Sequence, residues 1–169
     1  MAVQILPSLL AADYGALAAD ITRAYQSGAD ALHLDIMDAH FVPNLSFGPD
    51  VVALCRRVEP VFYRHVHLMM TRPDLYLEVF AKAGAQTIQI HVEADCDLHV
   101  ELPRIRALGA RPAIVLNPET PVVPVFSTGK MPVVPVGADS SGMMSRWRVS
   151  MRRRRRRGGR KRRRPCPPA

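Results

Sequence analysis

Cysteine is scarce in this chain: Cys55, Cys96 and Cys166 are the only three in 169 residues, and none stands in a CxxC pair. An odd number without that spacing excludes a disulfide framework and a zinc knuckle, and it suits a reducing, cytoplasmic compartment. Long apolar runs are missing as well. The longest are a few residues, broken by His, Asp, Arg or Pro, so no transmembrane helix is expected. The opening residues, MAVQILP, have no basic stretch leading into a long apolar one, so no secretory signal is expected either. No GxGxxG follows a strand and no P-loop occurs, which leaves a nucleotide-binding fold without support. Aromatics make up 6% of the chain.

What is present is globular composition, 48% apolar and 22% charged, in a length suited to one domain of ordinary size. The formal net charge of +8 averages two unlike materials. Residues 1–126 carry 9 Lys and Arg against 14 Asp and Glu, and residues 127–169 carry 14 against 1. All six histidines precede residue 100.

Through residue 126, short apolar runs alternate with longer amphipathic ones. Strands are expected at Val3–Leu6, Ala31–Asp35, Val61–His67, Thr87–His91 and Pro112–Leu116. Helices are expected between them: Asp13–Ser27 with Asp13 as N-cap, Pro49–Arg57, a helix opened by Arg72-Pro73-Asp74, and Asp97–Leu108. Gly28, Gly84 and Gly109 mark helix ends. Such short connections demand a parallel sheet. The regular spacing of about 25–30 residues per unit favours a β/α barrel over an open sheet. Polar residues also gather at strand C-terminal ends, namely Ser8, His33, Asp35, His67, His91, Glu93 and Asn117, where barrels carry their active sites.

The densest constellation is HLDIMDAHFVPN, residues 33–44. His33 and Asp35 alternate along one strand and so share a face. His67 ends the next strand and completes a His/Asp/His set. Two imidazoles and a carboxylate suit a divalent cation such as Zn, Fe, Mn or Co and leave positions open for substrate. Asp35 could also act as a general base or simply orient His33. Met37, Met69 and Met70 flank these positions, where Met is more often core filler. His65 faces the same side as His67 and reads as polar lining. Asp38, His40 and Asn44 read as turn chemistry.

Several segments together resemble the ribulose-phosphate 3-epimerase family of the pentose phosphate pathway and Calvin cycle. They are ILPSLLAADY (5–14), HLDIMDAHFVPNLSFGPDVV (33–52), VHLMMTRPDLYLEVFAKAGA (66–85), IHVEA (90–94) and LNPETP (116–121). The resemblance implies a (β/α)8 TIM barrel, here incomplete, with about five strands and four helices in residues 1–126. It also implies interconversion of D-ribulose 5-phosphate and D-xylulose 5-phosphate by proton transfer at C3 through a cis-enediolate, with one divalent metal cation as cofactor, and a homo-oligomer. On that basis Asp35 is the first acid/base and a metal ligand, His33 and His67 are further ligands, and Ser8, His67, Met37 and Met69 bind substrate. Two positions depart from the family's pattern: Ala39 where Gly is usual, and His65 where Asp is usual. After Phe126 the NPGFGGQ-like segment, the second catalytic Asp and the phosphate-binding turn do not appear, so little or no turnover is expected of this chain.

Residues 127–169 show no sustained helix or strand period and end in MRRRRRRGGRKRRRPCPPA, a run whose charges repel and which is expected to be disordered. Arg152–Arg164 could neutralise nucleic-acid phosphates or act as a nuclear import signal. No aromatics interleave the basic residues beyond Trp147, so no structured nucleic-acid surface is implied. The abrupt switch to Arg-rich low complexity favours out-of-frame translation or intron read-through instead. An inactive metal-binding pseudoenzyme and a basic-tailed nucleic-acid-binding protein are the alternative readings. No membrane partner is expected.

Overall fold

A computed structural model describes residues 3–121; residues 122–169, with the basic run and its expected disorder, lie outside the described residues. Four α-helices alternate with four strands: α1 Leu17–Gln26, β1 Ala31–Met37, α2 Pro49–Val58, β2 Tyr63–Met69, α3 Leu77–Ala83, β3 Thr87–His91, α4 Leu98–Ala107 and β4 Arg111–Val115. The strands pair in parallel in the order β1-β2-β3-β4. Each strand therefore neighbours the next in sequence, with no reversal of strand order among the described residues. That progression builds a barrel wall and lacks the switch point of a doubly wound sheet.

Alternation along the strands divides the sheet into two faces. Leu32, Leu34 and Ile36 of β1, Val66 and Leu68 of β2, Ile88 and Ile90 of β3 and Ile114 of β4 join the core with Ile21, Val52, Leu77, Phe80 and Ile105 of the helices. Burying such side chains contributes roughly 1.5–3 kcal/mol each before entropy is counted. The intervening residues, His33, Asp35, His65, His67, Gln89 and His91 among them, occupy the other face.

Local chemistry sets the boundaries. Pro49 opens α2, where its missing N–H would have had no helical partner. Asp97 caps α4 by accepting the His99 amide at 2.9 Å. Gly84 ends α3 at φ 110°, a left-handed conformation that favours glycine, and a Cβ there would also displace the Arg56 side chain, whose Cδ lies 2.8 Å away.

Four expectations differ from the structure. β2 runs Tyr63–Met69 where Val61–His67 is expected, so His67 lies two residues before its end. Val3–Leu6 forms no strand: Ile5 and Pro7 accept the amides of Asp30 and His33, and Ser8 makes a single parallel bridge to His33. Pro7 has no N–H to extend the ladder. The described sheet thus has four strands where five are expected. Asp13 is not the cap of α1, which starts one turn later; Asp13 instead holds the Gly15 amide in the preceding turn. The segment opened by Pro73 is a 3-10 turn, Pro73–Leu75, before α3 begins at Leu77.

Candidate active site

Strand register sets Asp35 of β1 beside His67 of β2, and His33 beside His65. Because all four occupy the same face, the polar side chains converge. His33 Nε2 lies 3.0 Å from Asp35 Oδ1, and His67 Nδ1 lies 3.1 Å from the same oxygen. The other carboxylate oxygen, Oδ2, accepts the Ser8 hydroxyl at 2.5 Å. Ser8 is fixed in turn by accepting the Leu10 amide as the cap of the 3-10 turn Leu9–Ala11. Ser46, whose hydroxyl donates to the Asp35 carbonyl at 2.5 Å and accepts the Met37 amide at 3.0 Å, ties the following loop to the end of β1.

The cluster continues behind His67. His67 Nε2 lies 2.8 Å from His91 Nε2, and His91 Nδ1 lies 3.1 Å from Glu93 Oε2. Glu93 Oε1 accepts the Asn117 amide at 2.9 Å and the Thr120 hydroxyl. Phe41 tilts against the His91 ring with centroids 4.7 Å apart. Sequence reasoning placed His91, Glu93 and Asn117 at strand ends but assigned them no role. Their only signal was position, since the contact joins His67 to a residue two places beyond its register partner Gln89.

Burial would raise the Asp35 carboxyl, but the hydrogen bonds from His33 and His67, the charge of His33 and the Ser8 hydroxyl outweigh it and hold Asp35 well below the usual carboxylate range. It is ionised at neutral pH. Burial, followed by the neighbouring His67, pushes His91 down to about 4, so its ring is neutral there. Glu93 is held below its ordinary value because the Thr120 hydroxyl and the Asn117 amide overcome the effect of burial.

His33, Asp35 and His67 offer donor atoms that all lie within 4.8 Å of one another. An ion bound at about 2.0–2.2 Å holds neighbouring donors roughly 2.8–3.1 Å apart at right angles and roughly 3.3–3.6 Å apart at the tetrahedral angle, and the 3.0 and 3.1 Å spacings at Asp35 fall in the first range. Two nitrogens and a carboxylate oxygen around one point are chemically suited to a divalent transition metal.

A sequence model described as the ribulose-phosphate 3 epimerase family matches residues 4–130. The chain belongs to the ribulose-phosphate 3-epimerase family. It is 43% identical over 120 residues to the ribulose-phosphate 3-epimerase of Bacillus subtilis (strain 168), covering 71% of this chain and 55% of that protein. Against the cytoplasmic isoform of Oryza sativa subsp. japonica it is 46% identical over 126 residues, covering 74% and 55%. The enzyme of Rhodobacter capsulatus is 43% identical over 120 residues, with 70% and 52% covered. The chain spans about half the length of the curated relatives it matches. The parallel βα order of the described residues is that of the family's TIM barrel.

Other residues expected near an epimerase site fall as follows. Met37 and Met69 pair in register one step beyond Asp35 and His67, on the same face. Met70, on the opposite parity, packs in the apolar core. His65 lies beside His33 with ring centroids 6.3 Å apart, and burial and His33 push it down to about 4. Asp38 accepts the amides of His40 and Phe41 at 2.8 Å on one oxygen and that of Thr71 at 2.8 Å on the other, joining the loops after β1 and β2. Ala39, where the family usually has Gly, has φ 61°. Burial raises the thiols of Cys55 and Cys96 to about 11, which makes neither a ready nucleophile. No helix among the described residues is long and apolar enough to cross a membrane.

Proposed function

We propose that this chain carries the proton-abstracting, metal-holding side of a ribulose-phosphate 3-epimerase site, acting on D-ribulose 5-phosphate and D-xylulose 5-phosphate at C3. The observation that carries the reading is the Asp35 carboxylate held between His33 and His67 on one face of the adjacent parallel strands β1 and β2. Asp35 is the base that takes the C3 proton; Ser8, donating to Oδ2, fixes the carboxylate and reaches substrate. His33, Asp35 and His67 would hold one divalent cation, Zn, Fe, Mn or Co. A bound cation supplies electrostatic stabilisation of the negative charge that develops on substrate oxygen. Met37 and Met69 line the substrate side of the set without adding charge. Asp35 alone serves one face of C3, so inversion requires a second proton carrier opposite. A cytoplasmic location and assembly into a homo-oligomer accompany this reading.

The test is incorporation of deuterium at C3 of ribulose 5-phosphate in D2O, followed by NMR with the full chain and added Mn2+. Exchange that disappears in Asp35→Asn supports the reading. Exchange unaffected by Asp35→Asn, or metal binding without any exchange, would remove Asp35 as the base and leave a cation-binding protein.

A further inference from the structure

Glu93 stands at the far end of a line of hydrogen bonds that reaches the candidate metal donors through two imidazoles. A carboxylate oxygen only accepts, so the 3.1 Å contact between Glu93 Oε2 and His91 Nδ1 puts a proton on that nitrogen. A neutral imidazole protonated on one nitrogen offers a lone pair on the other. His91 Nε2 is therefore the acceptor in its 2.8 Å contact with His67 Nε2, and the shared proton belongs to His67 Nε2. By the same rule Asp35 Oδ1, 3.1 Å from His67 Nδ1, calls for a proton on that nitrogen when no cation is bound, so the two carboxylates compete for the tautomer of the imidazole pair. A cation held by both Asp35 and His67 Nδ1 removes that demand and leaves the direction set by Glu93 satisfied throughout.

We propose that Glu93 and His91 are positioning residues that hold His67 in its Nε2–H tautomer and so keep Nδ1 free to donate to a divalent cation. This rests on His67 being a ligand, as read above. Metal-bound histidines generally have the remote N–H held by an outer partner that sets tautomer and ring orientation. Here the partner is a second histidine whose own direction is set by a carboxylate. That carboxylate is anchored by the Asn117 amide and the Thr120 hydroxyl. The loop after β4 thereby reaches the β2 imidazole without touching it.

The line can be reversed by one nearly isosteric change. In Glu93→Gln the Asn117 and Thr120 donors select the amide carbonyl at the Oε1 position, so the NH2 group faces His91 Nδ1. His91 then accepts at Nδ1 and donates from Nε2, which moves the His67 proton to Nδ1 and blocks the donor. Long-range proton–nitrogen NMR on the Zn2+-loaded full chain reads the ring-nitrogen states directly, and Zn2+ titration reads the affinity. The expected result is His67 protonated on Nε2 and His91 on Nδ1 in the loaded parent chain, with Zn2+ affinity lowered about 10–100-fold in Glu93→Gln. If Glu93→Gln does not fold, His91→Phe keeps an aromatic ring against Phe41 and removes the acceptor, and Zn2+ affinity should fall likewise.

His91 protonated on Nε2 in the Zn2+-loaded parent chain would overturn the proposal. So would variants that leave Zn2+ affinity unchanged. A chain that binds no Zn2+, or binds it without His67 as a ligand, would refute the reading of His67 on which the proposal rests, and with it the purpose assigned to Glu93.

Discussion

Along β1, Leu32, Leu34 and Ile36 turn to the helices while His33, Asp35 and Met37 occupy the opposite face, and β2 and β3 repeat the division. Burial does not distinguish the two sides, since Leu34 is 0% exposed and Asp35 5%. The difference lies in what burial demands. An apolar side chain needs only filled space, so many neighbours share its stabilisation. A buried polar group needs a particular partner at a particular distance, and Asp35, His33, His67, His91 and Glu93 each have one, while His65 Nδ1 and Gln89 Oε1 on the same face do not. One face therefore supports the fold collectively, and the other holds a geometry that depends on individual residues.

The comparison predicts separable failures. Leu34→Ala should cost about 2–5 kcal/mol in urea unfolding, the usual range for a buried Leu, while the folded fraction keeps its Zn2+ affinity. A loss of affinity at unchanged stability would mean that the two faces are not independent. Asp38→Ala strikes between the faces by cutting three amide contacts that tie two loops, and should cost roughly 1–3 kcal/mol. Those amides outweigh burial and hold the folded Asp38 carboxyl below its ordinary value. Its stabilisation is therefore complete above the unfolded pKa of about 3.9 and is lost as pH falls through the lower folded value. Unfolding measured from neutral pH into acid should fall less steeply in Asp38→Ala than in the parent chain. Ala39→Gly is the smallest change: it relieves φ 61° and should raise stability by about 0.5–1 kcal/mol in the same assay.

Much of the apolar face was legible in the sequence because it repeats. Period-two strands separated by amphipathic helices survive small errors of boundary, and Gly28, Gly84 and Gly109 all take the positive φ that their helix-ending positions suggest. The first strand does not form because Pro7, directly after the apolar run Val3–Leu6, has no N–H to carry the ladder on beside β1. On the polar face, His33, Asp35 and His67 stood out because two lie at i and i+2 and the third shares their parity on the neighbouring strand, although that strand runs on to Met69. The line through His91 to Glu93 was not legible. It depends on strand register and ring orientation together: Gln89, not His91, is the register partner of His67. The hold of Ser46 on the end of β1 depends likewise on a loop path that no periodicity encodes.

If the polar face is a cation site built from three side chains, calorimetric titration of the metal-free full chain with Zn2+ should show saturable binding of one ion per chain. That binding should weaken by more than the roughly 10–100-fold expected of an outer-shell change when Asp35 becomes Asn. No saturable binding, or binding indifferent to Asp35→Asn, would contradict the cation-site reading.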